Sequence, residues 1–159
     1  METDMKRIFI AMLILPVLLY CMTGCQKQPE SGAADSTQWD AEGGFANYLT
    51  SVREKSDAIR LSLEQEALTQ TDMNQISSEL RTLWDEALNR LLDEAQRVLP
   101  AAELAQLAAE QSVWQADMMT AVEAAGKAYE GGSLYPLVVN SEAARLTEAR
   151  VYQLYEQLK

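Results

Sequence analysis

Catalysis and metal binding need particular side chains at particular spacings, and this chain lacks the commonest of them. It has no histidine, which removes the usual general base and the commonest metal ligand. Its two cysteines, Cys21 and Cys25, stand four apart in the stretch LLYCMTGCQK. As a pair they could form a disulfide, hold a metal, close a membrane span or mark a point of cleavage. A disulfide across so short a loop would be strained, and no histidine exists to complete a zinc site. Carboxylates are plentiful, at Asp85-Glu86, Asp93-Glu94 and from Glu103 to Glu110. A catalytic acid and base need surroundings that drive their pKa values apart. These carboxylates fall instead on the polar sides of apolar stripes, as solvated faces do. The stretch EGGSL lacks the lysine and following hydroxyl of a phosphate-cradling loop. The side-chain inventory points to no enzyme, no cofactor, no metal site and no small-molecule substrate.

The setting of the cysteines decides between their readings. Lys6-Arg7 precede an uncharged, apolar run over residues 8–22 that contains Pro16. That run falls short of the ~20 apolar residues a bilayer span needs, and it fits a secretory signal. Its exit, Met22-Thr23-Gly24-Cys25, resembles the bacterial lipobox, in which an apolar residue and two small ones precede a cysteine. Small residues let the peptide lie extended in a narrow protease groove, whereas bulky Tyr20 disqualifies Cys21. Signal peptidase II would cut before Cys25 and leave it carrying lipid. The expected organisation is a lipoprotein signal peptide over 1–24, the lipidated cysteine and a flexible tether over 25–44, and a helical domain over 45–159. The tether is rich in Gly, Ser, Ala and acid, with Trp39 as its one aromatic residue. The expected location is outside the cytoplasm, lipid-anchored through Cys25. In a monoderm this is the outer face of the cytoplasmic membrane. In a diderm it is the outer membrane facing the periplasm.

The two acids and two bases of the signal segment cancel, so the net charge of −11 belongs to the remainder. Such acidity excludes a nucleic-acid footprint, which needs clustered Lys and Arg. It suits a cationic partner drawn in by long-range attraction.

From residue 45 the apolar periodicity is helical and nowhere alternates long enough for a strand. A first stripe runs Phe45, Leu49, Val52, Ile59, Leu63 and Ala67, with Ser56 filling the gap. Asp72 is placed to cap a second helix, with Gln75 at the reciprocal position. Its stripe is Met73, Ile76, Leu80, Leu83, Ala87, Leu91, Ala95 and Val98, widened by Trp84, Leu88 and Leu92. Pro100 marks a break and suits the first turn of a third helix. That helix carries Leu104, Leu107, Trp114, Met118, Ala121, Val122, Ala125 and Tyr129, and Gly131-Gly132 end it. A last helix opens at Pro136 and presents Ala144, Val151, Leu154, Tyr155 and Leu158. The fold class is all-α, a bundle of three to four helices.

Within 71–154, Met73-Asn74, Leu88-Asn89, Gln111 with Trp114, Gly131-Gly132-Ser133, Leu146-Thr147, Arg150 and Leu154 keep a distinctive order and spacing. In these residues the chain resembles the LprI-type lysozyme-inhibitor family of bacterial exported proteins. The resemblance implies a small helical domain outside the cytoplasm, often a lipoprotein. Because the family's namesake inhibits lysozyme, it also implies a protein partner, a cationic lysozyme (muramidase), bound and blocked at the cell envelope. The motif residues Asn74, Asn89, Trp114, Gly131, Gly132, Ser133 and Arg150 take roles in structure or in binding. Two departures stand out. Cysteines usual in the family are replaced here by Ile76, by Val122 or a neighbour, and within Ser141 to Ala143, so packing must supply the ~2–5 kcal/mol a native disulfide contributes. Met118 stands where relatives tend to carry an arginine. The alternative function is an envelope accessory or scaffold lipoprotein that binds another membrane protein or a wall component.

The stretch YEGGSLYP admits two readings. In one it is a helix stop, a turn and a restart. In the other it is an exposed tip, with Leu134 and Tyr135 as apolar and aromatic anchors for a partner.

Overall fold

The computed structural model describes residues Gly44–Lys159, Glu66 excepted. The expected signal peptide, Cys25, Trp39 and the expected tether before Gly44 lie outside the described residues. Four helices follow in order: α1 (Gly44–Leu63), α2 (Gln70–Val98), α3 (Ala101–Gly126) and α4 (Tyr135–Leu158). A single 3-10 turn, Lys127–Tyr129, extends α3. The described residues contain no strand, and the fold is the all-α bundle that the periodicity predicts.

Side-chain pairs give the directions of the helices. Asn74 meets Ser133, and Trp84 meets Tyr152, so α2 and α4 run parallel. Ser56 meets Trp84 and Tyr48 meets Arg90, which sets α1 antiparallel to α2. Gln111 meets Arg150, and Gly126 lies against Val139, which sets α3 antiparallel to α4. The chain therefore runs up, down, up, down. The parallel pair α2 and α4 shares the largest interface; α1 leans on α2, and α3 on α4. Between them lie Leu80, Trp84, Leu88 and Leu91 of α2, Val151 and Leu154 of α4, and Phe45, Leu49 and Val52 of α1. Each such side chain contributes ~1.5–3 kcal/mol when fully buried.

Several local expectations are corrected. Thr69, not Asp72, caps α2: its Oγ1 accepts from the Asp72 N–H at 3.2 Å, and Asp72 Oδ2 accepts from the Thr69 N–H at 2.9 Å. Thr69 has the extended backbone a cap requires, whereas Asp72 is already helical. Ala67 does not continue the first stripe: α1 stops at Leu63, and Ala67 is an exposed turn residue with φ of 75°. The buried line of α2 is Ser77, Leu80, Trp84, Ala87, Leu88, Leu91 and Ala95, while Met73, Ile76, Leu83 and Val98 are half-buried. Pro100 is the cap before α3 rather than a residue of its first turn.

The largest correction concerns α3. None of its expected apolar stripe is fully buried, Tyr129 is exposed, and its two buried residues are Gln111 and Gly126. The helix also ends at Gly126, before the glycine pair. A Cβ on Gly126 would lie 2.6 Å from Val139 Cγ1 and 2.7 Å from the Tyr135 ring, so close approach of α4 requires glycine there. Of the later pair, Gly131 alone takes a left-handed conformation, with φ of 73°. The Gly132 N–H donates to the Tyr129 carbonyl at 2.9 Å and closes the turn.

Gly126→Ala is expected to destabilise the domain in thermal melting. Helix propensity favours alanine by ~1 kcal/mol, but overpacking a tight site costs ~1–3 kcal/mol. A higher melting temperature would show that the Val139–Tyr135 contact yields.

Acid dependence has a definite sign. Hydrogen bonds from the Thr69 side chain and backbone hold the Asp72 carboxyl below its usual value, and Arg145 does the same for Glu142. A folded-state pKa below the unfolded one gives stability that is present above the ordinary carboxylate range, about pH 4. That stability is lost as pH falls through the lowered folded value. The melting temperature should drop on acidification below about pH 4, and Thr69→Ala should reduce that drop.

Candidate functional site

Two features draw the motif residues together: polar contacts inside the bundle, and a loop at one of its ends. Asn74 holds the loop. Its Oδ1 accepts from Gln70 Nε2 at 3.0 Å, which turns its Nδ2 to donate to the Ser133 carbonyl at 3.1 Å. Ser77 lies one turn further along α2, fully buried, its hydroxyl donating to the Asn74 carbonyl at 2.8 Å. Asn74, Gly131, Gly132 and Ser133 therefore form one assembly that fixes the start of α4. Asn89 is exposed on α2 and stands apart from it.

A second polar group lies deeper. Trp84 is fully buried, and its indole N–H donates to Ser56 Oγ at 3.1 Å. The same hydroxyl accepts from Arg60 Nη1 at 2.7 Å, and the other arm of Arg60 binds Glu148 of α4. Three helices thus share one hydroxyl and one guanidinium. The Tyr152 ring lies 5.8 Å from Trp84. Its phenol is pushed above its ordinary pKa by burial, and the nearby Glu148 acts in the same direction.

The third group joins α3 to α4. Arg150 is 5% exposed, and its Nε donates to Gln111 Oε1 at 3.1 Å. Its Nη1 donates to Gln153 Oε1 at 3.2 Å, and its guanidinium carbon lies 5.9 Å from the centre of the Trp114 ring. Burial pushes the Arg150 pKa down, and the charge of Glu110 pulls it back up. The motif thus brings Trp114 and Arg150 together through Gln111. Sequence reasoning grouped Gln111 with Trp114 but did not see that a polar side chain would be the buried one.

The loop carries the candidate contacts, and they divide. Leu134 is exposed. Tyr135 is half-buried, its ring lying over Gly126. The same end of the bundle carries Leu61, near the end of α1, and Tyr129, both exposed, with exposed Met119 in the last third of α3. Elsewhere an open groove of about 650 Å³ runs between α1 and α2, walled by Ala58, Ile59 and Leu83 with Lys55, Glu79 and Glu86 among its lining. No group of three or more His, Cys, Asp or Glu converges as metal ligands among the described residues. No described helix is long and apolar enough to cross a membrane. Of the residues at the positions that the resemblance gives to cysteines, Ile76, Val122, Ser141 and Glu142 are half-buried and Ala143 is buried. Met118 is half-buried as well.

These contacts define a small helical bundle whose motif residues lock a polar interior and shape one loop. A family model described as lysozyme inhibitor LprI matches residues 62–154, more than half of the chain. The chain belongs to that family. Comparison with curated proteins and with solved structures gave no match.

The two loop anchors should separate on substitution. Tyr135→Ala removes the ring over Gly126 and is expected to lower stability by ~1–3 kcal/mol, in line with the loss of a half-buried aromatic. Leu134→Ala should change stability by less than ~0.5 kcal/mol, as exposed substitutions do. Chemical denaturation of both variants measures this, and equal losses would place Leu134 in the packing too.

Proposed function

We propose that the protein is an exported lipoprotein, anchored through Cys25, that binds a cationic muramidase at the cell envelope and inhibits it without catalysis of its own. Family membership supplies the class of partner. The observation that supports a binding surface is that Leu61, Tyr129 and Leu134 are all exposed at the same end of the bundle. Gly44 begins α1 at the opposite end, and a 20-residue helix rises ~30 Å. A tether joined at Gly44 would therefore enter the domain at the end opposite these residues and leave them uncovered. Apolar and aromatic anchors supply affinity, while the acidity of the domain speeds encounter with a basic enzyme.

A second reading, the accessory or scaffold lipoprotein, is favoured by the outer face of α3. There Ala105, Ala109, Val113, Ala116 and Met119 are exposed and uncharged along the helix. Such a face suits packing against a helix of another envelope protein.

The test adds soluble residues 26–159 to chicken-type and bacterial muramidases acting on cell walls. Inhibition is expected, weakening as salt rises from ~0.1 M to ~1 M, since the screening length falls from ~10 Å to ~3 Å. Tyr129→Ala with Leu134→Ala should raise the inhibitor concentration required at least tenfold without lowering the melting temperature, the scale of a ~1.4 kcal/mol anchor. If neither enzyme class is slowed at low salt with the domain in excess, the inhibitor reading fails and the scaffold reading takes its place.

A further inference from the structure

Arg150 is the one charged side chain in the buried set of the described residues, and no carboxylate of those residues lies within salt-bridge distance of it. This occurs in a chain with 24 acidic residues. Its partners are two neutral amides, Gln111 and Gln153. Two buried nitrogens near the pair have no hydrogen-bond partner: Arg150 Nη2 and Gln111 Nε2. The residues that carry them are 5% and 8% exposed. A buried charge without a counter-ion is costly, and each unmade buried hydrogen bond adds to the cost.

The stereochemistry says what is missing. Nε and Nη2 form one edge of the guanidinium, and that edge matches the two oxygens of a carboxylate. An amide offers one acceptor and one donor. Gln111 therefore satisfies Nε and leaves both Nη2 and its own nitrogen seeking an acceptor. Turning the amide over leaves the same count of one acceptor for two guanidinium nitrogens.

We propose that the seam between α3 and α4 beside Arg150, Gln111 and Trp114 is a receptor for a carboxylate supplied from outside the domain. A water could bridge the two donors but would leave the cation without its counter-charge. A phosphate would bring more negative charge into a domain that already carries an excess of it, beside Glu110. A single planar carboxylate meets the fork with the least repulsion. The guanidinium is not far from solvent: Gln153, which binds Nη1, is exposed, and Trp114 is half-buried. Glu110 faces the same guanidinium from α3, its carboxylate accepting from Gln106 Nε2 at 2.9 Å, and its charge opposes an incoming anion.

The carboxylate has two possible sources, a small free acid or an Asp or Glu side chain of a protein partner. The second rests on the muramidase reading above; the first does not.

The experiment is thermal melting of the full-length chain in mild detergent at neutral pH, with sodium acetate compared against sodium chloride at equal ionic strength. Acetate should raise the melting temperature by a few degrees in a saturable way, as a ligand of the folded state does. Gln111→Glu supplies the second oxygen from within, so it should melt higher than the parent and lose the acetate response. Glu110→Gln, at an exposed position, should lower the acetate concentration of half-effect severalfold. Identical melting in acetate and chloride overturns the proposal, as does an acetate response that survives Gln111→Glu unchanged. The source is then read from muramidase affinity. Loss of that affinity in Gln111→Glu assigns the site to a protein side chain. Retention, with the acetate response present in the parent, assigns it to a free carboxylate. A parent that binds no muramidase yet responds to acetate sinks the inhibitor reading and leaves the receptor standing.

Discussion

The bundle depends on the burial of one indole. Trp84 is enclosed on all sides, and an aromatic of its size removes ~150–250 Å² from water. That burial is favourable only if the indole N–H keeps a partner, because an orphaned buried donor costs ~1–3 kcal/mol. Ser56 provides the acceptor. A serine on the apolar stripe of α1 is therefore a requirement of the tryptophan opposite it. The hydroxyl in turn fixes Arg60, and Arg60 reaches Glu148. One hydrogen bond sets the register of α1 on α2 and, through two more side chains, relates both to α4.

The same logic of polar groups locked between helices recurs between α2 and α4. The described domain contains no cysteine. At the positions that the family resemblance gives to cysteines, this chain has Ile76, Val122 or a neighbour, and Ser141 to Ala143. Asn74, Ser77 and Asn140 add a polar seam along α2 and α4, the Asn140 amide approaching Ser77 Oγ at 3.5 Å. Directional groups of this kind specify which helix faces meet, whereas apolar surface alone permits sliding.

How much of this could be read from the sequence follows from the same physics. The helical class and the break at Pro100 were legible because periodicity and proline act locally. The buried line of α2 was read partly off its true position. Hydropathy favoured Met73, Ile76 and Leu83, but burial follows the direction of α4, and Ser77 lies on that side with its hydroxyl satisfied by Asn74. The cap of α2 was ambiguous because Thr69-Asp72 and Asp72-Gln75 both have cap-like spacing, and the turn through Ala67 decides between them. For α3 the stripe marked the inward face, where Leu104, Leu107, Trp114, Met118, Ala121, Val122 and Ala125 are half-buried, but it missed Gln111 and Gly126, the two residues buried most deeply. Arg150 and Gln111 were named from motif resemblance, and nothing in hydropathy marks a buried arginine. A usable signal was register: Arg150 lies one turn from Leu154 on the core side of α4, as Gln111 lies one turn from Trp114.

The uneven seating of the helices has a further consequence. Helix α1 buries four residues fully, Phe45, Leu49, Val52 and Ser56, whereas α3 buries only Gln111 and Gly126 fully and rests half-buried Leu107 and Trp114 on the core. Openings that release α3 from α4 expose far less apolar surface than openings that split α2 from α4. In native-state hydrogen exchange, the amides of α3 are expected to be the less protected unit, and those around Trp84 and Leu91 to report global unfolding. A protease would meet the domain as a lasting three-helix kernel bearing one separable leaf.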